Sequence, residues 1–309
     1  MLFRSYELIT SRGCVFSCTY CYNNYLHRLY RISKIRRRGV ENIIIEIERA
    51  IENNPEISLV HIQDDSFMSC SKQYLARFCE LYGNRIKKPF VIHSIPININ
   101  PEHVRCLKRA GLAWINLGLQ SGSDYTCNHI YKRRSLKKDF FKAAEVINRF
   151  KIAGKYDVIL DNPFESEDDK VQTFEALIET PKPYLVEFFS LTFYPGTELY
   201  EKAIMAYPEI MDEYCRKDRA QYKCTTLNKV MALAPYLPKS CAKSILRLYR
   251  ADSGGSFFKV SLFVYTVLSK IIYKTIVYIN ILKLAHNDSY IEAARNFPLY
   301  VNDALAKKL

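Results

Sequence analysis

Over the first two hundred residues, short apolar runs alternate with longer amphipathic stretches. The runs at 57–62, 90–93, 113–119, 157–160 and 185–193 are too short for helices and rich in β-branched and aromatic residues. They read as buried strands, and a run at 6–10 reads as one more ahead of them. Between the runs the period changes. Ile43, Ile44, Ile47 and Ile51 recur at helical spacing within 40–53, and Asn53, Asn54 and Pro55 stop that helix. Further helices are predicted over 72–82, ending at Gly83-Asn84, and from Pro101, a residue tolerated in a first turn, to Gly111. Two more follow, over 139–150 and 168–179.

Strict alternation of strand and helix with short connections implies parallel βαβ units with right-handed crossovers. Six such units make a barrel-like α/β sheet short of a full eight-stranded closure. In barrels of this kind the chemistry sits at the carboxyl ends of the strands. A polar group stands at each of those ends: Cys14, Cys18 and Cys21 after the first strand, Asp64 and Asp65 after the second, Ser94 after the third, Gln120 and Ser121 after the fourth, Asp161 and Asn162 after the fifth. Each taken singly is an ordinary turn residue or helix cap; together they mark a rim.

The cysteines admit three chemistries. Structural zinc wants four protein ligands, and His27 lies at a spacing that suits no common finger. Close thiols in a chain with no secretory signal favour metal or redox chemistry over a disulfide set. An iron–sulfur cluster takes thiolates, and three ligands leave one iron open.

Cys14-x3-Cys18-Thr-Tyr20-Cys21, directly after a first strand, resembles the signature of the radical S-adenosylmethionine superfamily. The resemblance covers roughly 5–200 and implies a partial (β/α)6 TIM-type barrel. It also implies that Cys14, Cys18 and Cys21 hold a [4Fe–4S] cluster whose open iron binds the amino and carboxylate groups of S-adenosylmethionine. Electron transfer then cleaves the sulfonium and releases a 5′-deoxyadenosyl radical. By the same resemblance Asp64 and Asp65 stand where the family binds the ammonium, in place of the common Gly-Gly-Glu. Gln120, Ser121 and Asp161 stand near the ribose, and Tyr20 leans on the adenine. A reducing protein of flavodoxin or ferredoxin type is the implied electron donor.

Three segments are similar to the branch that carries a cobalamin-binding domain ahead of the radical domain: 64–67 (Asp-Asp-Ser-Phe), 156–165 and 194–197 (Tyr-Pro-Gly-Thr). That branch includes methylases of unactivated carbons and some cyclases, so the resemblance implies the radical step on an unidentified substrate, with methyl transfer or an oxidoreductase outcome both open. About four residues precede the first strand. Cobalamin, if used, is therefore expected from a separate chain or from a longer protein of which this is the later part.

Composition adds less. The net charge of +13 fits an anionic substrate, nucleic acid or an anionic membrane surface, or else a solvated basic surface. Arg28, Arg31, Lys34, Arg36, Arg37 and Arg38 concentrate it in a predicted loop that either lies in solvent or guides an anion towards the cluster. Ten cysteines without a signal peptide point to a reducing cytoplasm. The scattered Cys70, Cys79, Cys106 and Cys127 read as small buried apolar residues. Cys215, Cys224 and Cys241 are widely and irregularly spaced. The chain divides into a barrel over 1–200 and a mainly helical, basic region over 201–309. Within the latter, 257–284 is apolar except for Lys259, Lys270 and Lys274 on one arc of about 60°. That pattern suits a helix lying on an anionic membrane or packed over the barrel. A rival reading of the whole chain is a catalytically degenerate barrel that binds membrane or nucleic acid, with strong salt dependence.

Overall fold

The β-branched and aromatic runs form six parallel strands, and the isoleucine-rich stretches between them form the helices that cover one face. The computed structural model describes residues 4–32 and 34–251. The first strand is β1 (Arg4–Leu8), followed by a two-residue β2 (Ser11–Arg12), α1 (Tyr22–Leu29) and β3 (Arg36–Arg37). The repeating units then run α2 (Val40–Asn53), β4 (Ile57–Ile62), α3 (Lys72–Leu81), β5 (Phe90–Ser94), α4 (Pro101–Ala110), β6 (Leu112–Gln120), α5 (Lys137–Arg149), β7 (Ala153–Leu160), α6 (Glu167–Glu179) and β8 (Leu185–Ser190). The main sheet has the order β1-β4-β5-β6-β7-β8, every neighbouring pair parallel. It curls into a partial TIM-type barrel.

The two faces of this sheet differ sharply. Val60, Ile62, Phe90, Ile92, Ile115, Leu117 and Val158 are fully buried against the helices. The other face carries Glu7, His61, His93, Asn116, Lys155, Asp157 and Glu187, with Leu59, Val91, Trp114 and Ile159 beside them. Successive side chains point to opposite sides, and register pairs Glu7 with His61, His93 with Asn116, Asn116 with Lys155, and Asp157 with Glu187. Parallel strands covered on both faces read as continuous apolar runs. Alternation here places a band of polar residues on the concave face.

Several boundaries differ from the sequence prediction. The first strand ends at Leu8, not residue 10, because Thr10 and Ser11 turn to bind Asp64. The fifth begins at Ala153, four residues early. The sixth ends at Ser190; beyond it Phe193 N–H donates to Tyr214 O at 3.1 Å. The basic stretch predicted as a loop instead contains the end of α1 and all of β3, which pairs antiparallel with β2. The segment carrying the cysteines is thus a closed excursion from the barrel.

After β8 come α7 (Glu198–Ala206), α8 (Met211–Arg216), α9 (Thr226–Met231) and α10 (Lys239–Ala251). The core does not break at residue 200. Leu227, Val230, Met231, Leu237, Ala242, Ile245 and Leu246 belong to the same apolar cluster as the barrel helices. The basic, apolar stretch over 257–284 lies outside the described residues. Among the described residues no helix is long and apolar enough to cross a membrane.

Candidate active site

The cysteine loop is held from four sides. Gly13 turns it with φ +101°, a conformation that suits glycine, and a Cβ there would press on His27 at 3.1 Å. His27 Nε2 accepts the Cys14 N–H at 3.3 Å, so this histidine braces the loop backbone. Cys21 N–H donates to Cys18 O at 3.1 Å, and Cys21 is the extended N-cap of α1. Thr19, fully buried, clamps the middle: its N–H donates to Tyr131 O at 2.9 Å and its hydroxyl to Ile130 O at 2.6 Å. Its carbonyl accepts from Leu199 N–H, the start of α7, at 3.0 Å.

All three thiols are free and partly exposed. Burial pushes each upward, Cys21 to about 11, and the neighbouring cysteines and Asp65 add to the effect at Cys21. A bound cationic metal centre would remove that penalty, since thiolates are its ligands. Among the described residues no three His, Cys, Asp or Glu side chains converge on a point where a single ion could sit. Three free thiols on one loop are the usual kind of donor for an iron–sulfur cluster. The donor set fits the cluster.

Behind the loop lies Arg133, 5 % exposed. Its Nη2 donates to Gly118 O at 2.6 Å. Its charge acts on Tyr20, Cys18 and Cys127, and its Nε has no partner among the described residues. Tyr20 packs edge-on against Tyr131 with centroids 4.8 Å apart, and burial drives its hydroxyl well above the usual range.

The other rim residues separate into two groups. Asp65 is exposed, and its charge reaches Cys14 and Cys21. Gln120 leaves β6 with φ +65° and packs against Gly118. These face the cysteine loop and its surroundings. The remaining three are bound up in the scaffold. Asp64, 1 % exposed, accepts the N–H groups of Thr10 and Ser11 at 2.6 and 3.0 Å and both hydroxyls at 2.5 Å. Arg37 lies 3.5 Å from it. Ser121 donates to Glu165 at 2.7 Å. The Asp161 carboxylate accepts from Ser190, Lys223 N–H and Asn228, docking the C-terminal helices onto the barrel end.

Inside the concave face, His61 Nε2 and His93 Nε2 are 3.0 Å apart, Gln63 reaches His61 at 3.2 Å, and Asn116 reaches His93 at 3.2 Å. Burial, with His61 and Lys155 beside it, lowers His93 to about 4, so it is neutral at pH 7. Burial raises Asp157 to about 7 against the opposing pull of Lys155, which pairs with Glu187. Rim-based reading of the sequence missed Arg133 and this whole band. The available signal for the band was the polar residue recurring in mid-strand among apolar ones.

A three-thiol loop after the first strand of a curled six-stranded parallel sheet, with polar groups at the strand ends, defines a cofactor-dependent partial-barrel enzyme class. The family model of the Radical SAM superfamily matches residues 8–177, and the chain belongs to that superfamily. Its cofactors are accordingly a [4Fe–4S] cluster and S-adenosylmethionine. Among curated proteins it is 23% identical over 245 residues to the uncharacterized methyltransferase PH0819 of Pyrococcus horikoshii, covering 78% of this chain and 50% of that one. The chain therefore spans about half the length of that relative. Among solved structures it is similar to the cobalamin-dependent S-adenosylmethionine radical enzyme OxsB, with TM-score 0.56 and 16% identity over 98% of this chain and 55% of that one. It is also similar to the radical methyltransferase TsrM of Kitasatospora setae, solved with cobalamin and a [4Fe–4S] cluster, with TM-score 0.55 and 13% identity over 65% of this chain and 39% of that one.

Proposed function

We propose that the chain is the radical module of a methyl-transferring enzyme. The carrying observation is the clamped loop after the first strand that carries Cys14, Cys18 and Cys21, with Arg133 behind it. These three thiolates would hold the cluster. When bound, the cluster supplies one electron to the sulfonium of S-adenosylmethionine, whose cleavage yields a 5′-deoxyadenosyl radical.

The chain's own residues would do the binding and orienting. Arg133, buried and with a free Nε, suits the methionine carboxylate of the cofactor. Asp65, exposed beside Cys14 and Cys21, suits its ammonium, a role that Asp64 is too fully hydrogen-bonded to share. Gln120 suits the ribose and Tyr20 the adenine, as the resemblance implies. Ser121 and Asp161 would support this shell from behind, through Glu165 and Asn228. Substrate would lie on the concave face, where His61, His93, Asn116 and Asp157 offer hydrogen bonds. The likeness to PH0819 and TsrM supports methyl transfer, and a cobalamin-binding chain is a candidate partner. A flavodoxin- or ferredoxin-type protein would supply electrons.

Anaerobic reconstitution with iron and sulfide, then reduction by dithionite with S-adenosylmethionine, tests this. We expect 5′-deoxyadenosine by mass spectrometry, and loss of both cluster absorbance and product in Cys18→Ala. Retention of either in that variant would refute the assignment. So would salt-dependent binding of lipid or nucleic acid as the only activity found, unchanged in Cys18→Ala.

A further inference from the structure

Arg12 and Arg36 stand directly opposite each other in the β2–β3 ribbon. Side chains so paired have Cβ atoms about 5 Å apart, where like charges destabilise the pairing. A ribbon of two residues per strand has few hydrogen bonds to set against that repulsion. The two neighbouring arginines are already engaged. Arg37 donates to Ser69 O at 3.0 Å, lies 3.5 Å from Asp64 and covers the Tyr74 ring. Arg38 pairs with Glu46 and donates to Ile9 O at 3.2 Å. Arg12 and Arg36 are exposed, and among the described residues neither meets a carboxylate.

These four arginines, with Ile9 and Ser11, line one open cavity of about 430 Å³. That volume lies within the range of small-molecule sites, about 300–1,000 Å³. Asp64 and Glu46 offset two of the four charges, and two remain. A phosphate monoester carries about −1.5 to −2 at neutral pH, and guanidinium forks match phosphate oxygens in pairs.

We propose that this cavity is a phosphate seat that takes the phosphate monoester of a small molecule. The repulsion between Arg12 and Arg36 is relieved when the dianion lies between them. Because the ribbon closes the segment that carries Cys14, Cys18 and Cys21, the phosphate is held beside the cluster loop. The site stands on the ribbon alone and does not depend on radical chemistry.

Calorimetric titration of the full chain with ribose 5-phosphate, with ribose as control, tests it. Ribose 5-phosphate binds one per chain and more weakly as potassium chloride is added, and ribose does not bind. Arg12→Ala and Arg36→Ala each weaken binding about tenfold, while Lys34→Ala, exposed on the adjoining loop, leaves it unchanged. Arg36→Glu abolishes binding yet raises the melting temperature of the free protein, since opposite charges then face each other across the ribbon.

Three results overturn the proposal. One is equal heats for ribose and ribose 5-phosphate. The second is a lowered melting temperature in Arg36→Glu, which makes the arginines structural. The third is a short RNA that binds far more tightly through the same arginines, which makes the ligand a polymer.

Discussion

Gly118 illustrates how a single missing side chain shapes the site. A Cβ at this position would overlap the Gln120 amide and approach Arg133 Nη1 to 3.1 Å. Gly118→Ala should therefore displace both residues with little effect on the core beneath. Equilibrium binding of S-adenosylmethionine to the reconstituted protein is expected to weaken about tenfold, with a small fall in melting temperature. Gly196 is different: it has φ +83°, and the Tyr25 ring occupies the space a Cβ would fill. Gly196→Ala combines backbone strain with overpacking and should cost about 1–3 kcal/mol of stability, read from the urea midpoint.

The rim carboxylate at Asp64 was legible in the sequence as a residue, but its partners were not. Four donors on Thr10 and Ser11, more than fifty residues earlier, converge on it, and Arg37 of β3 joins them. It works at the level of the element, ending β1 and turning the chain into the ribbon. Asp64→Ala leaves the Thr10 and Ser11 donors buried and unpaired and takes from the Arg37 guanidinium its carboxylate, and is expected to destabilise the fold by about 3–5 kcal/mol in urea unfolding. The iron and sulfide content after reconstitution should fall with it, because the ribbon closes the cysteine segment. The ribbon and α1 escaped the sequence reading for a plain reason. β2 and β3 are two residues each, too short to show a period, and α1 has no buried residue. Their pairing is decided by contacts with the barrel.

At the scale of the molecule, two carboxyls shifted by burial set a pH dependence. Burial raises Asp157 and Glu165 to about 7, well above the unfolded values near 4. Their contribution to stability is fully present below the unfolded pKa and is lost as pH rises through the folded one. His93, lowered to about 4, acts oppositely: its contribution is present above the unfolded value of about 6.5 and is lost as pH falls through the folded one. A variant comparison isolates the carboxyl effect. From about pH 5 to about pH 8, the melting temperature of Glu165→Gln should decline less than that of the parent protein, and an identical profile would contradict the assignment. At the same scale, the apolar cluster of the described residues continues past residue 200. Helices α9 and α10 add their apolar faces to the core that α6 already shares.

The chain's own pattern determined the strand–helix alternation, the parallel sheet and the three cysteines, because period and spacing are local and survive in one dimension. Tertiary structure alone decided which rim residues are available. Asp64, Ser121 and Asp161 are equivalent to Asp65 and Gln120 in sequence position, yet they are occupied by Thr10, Glu165 and Asn228. It also brought Arg133 behind the cysteine loop, aligned His61 with His93 across neighbouring strands, and set Arg12 against Arg36. Each of these depends on strand register and loop closure, which join residues far apart in the chain, so no local pattern encodes them.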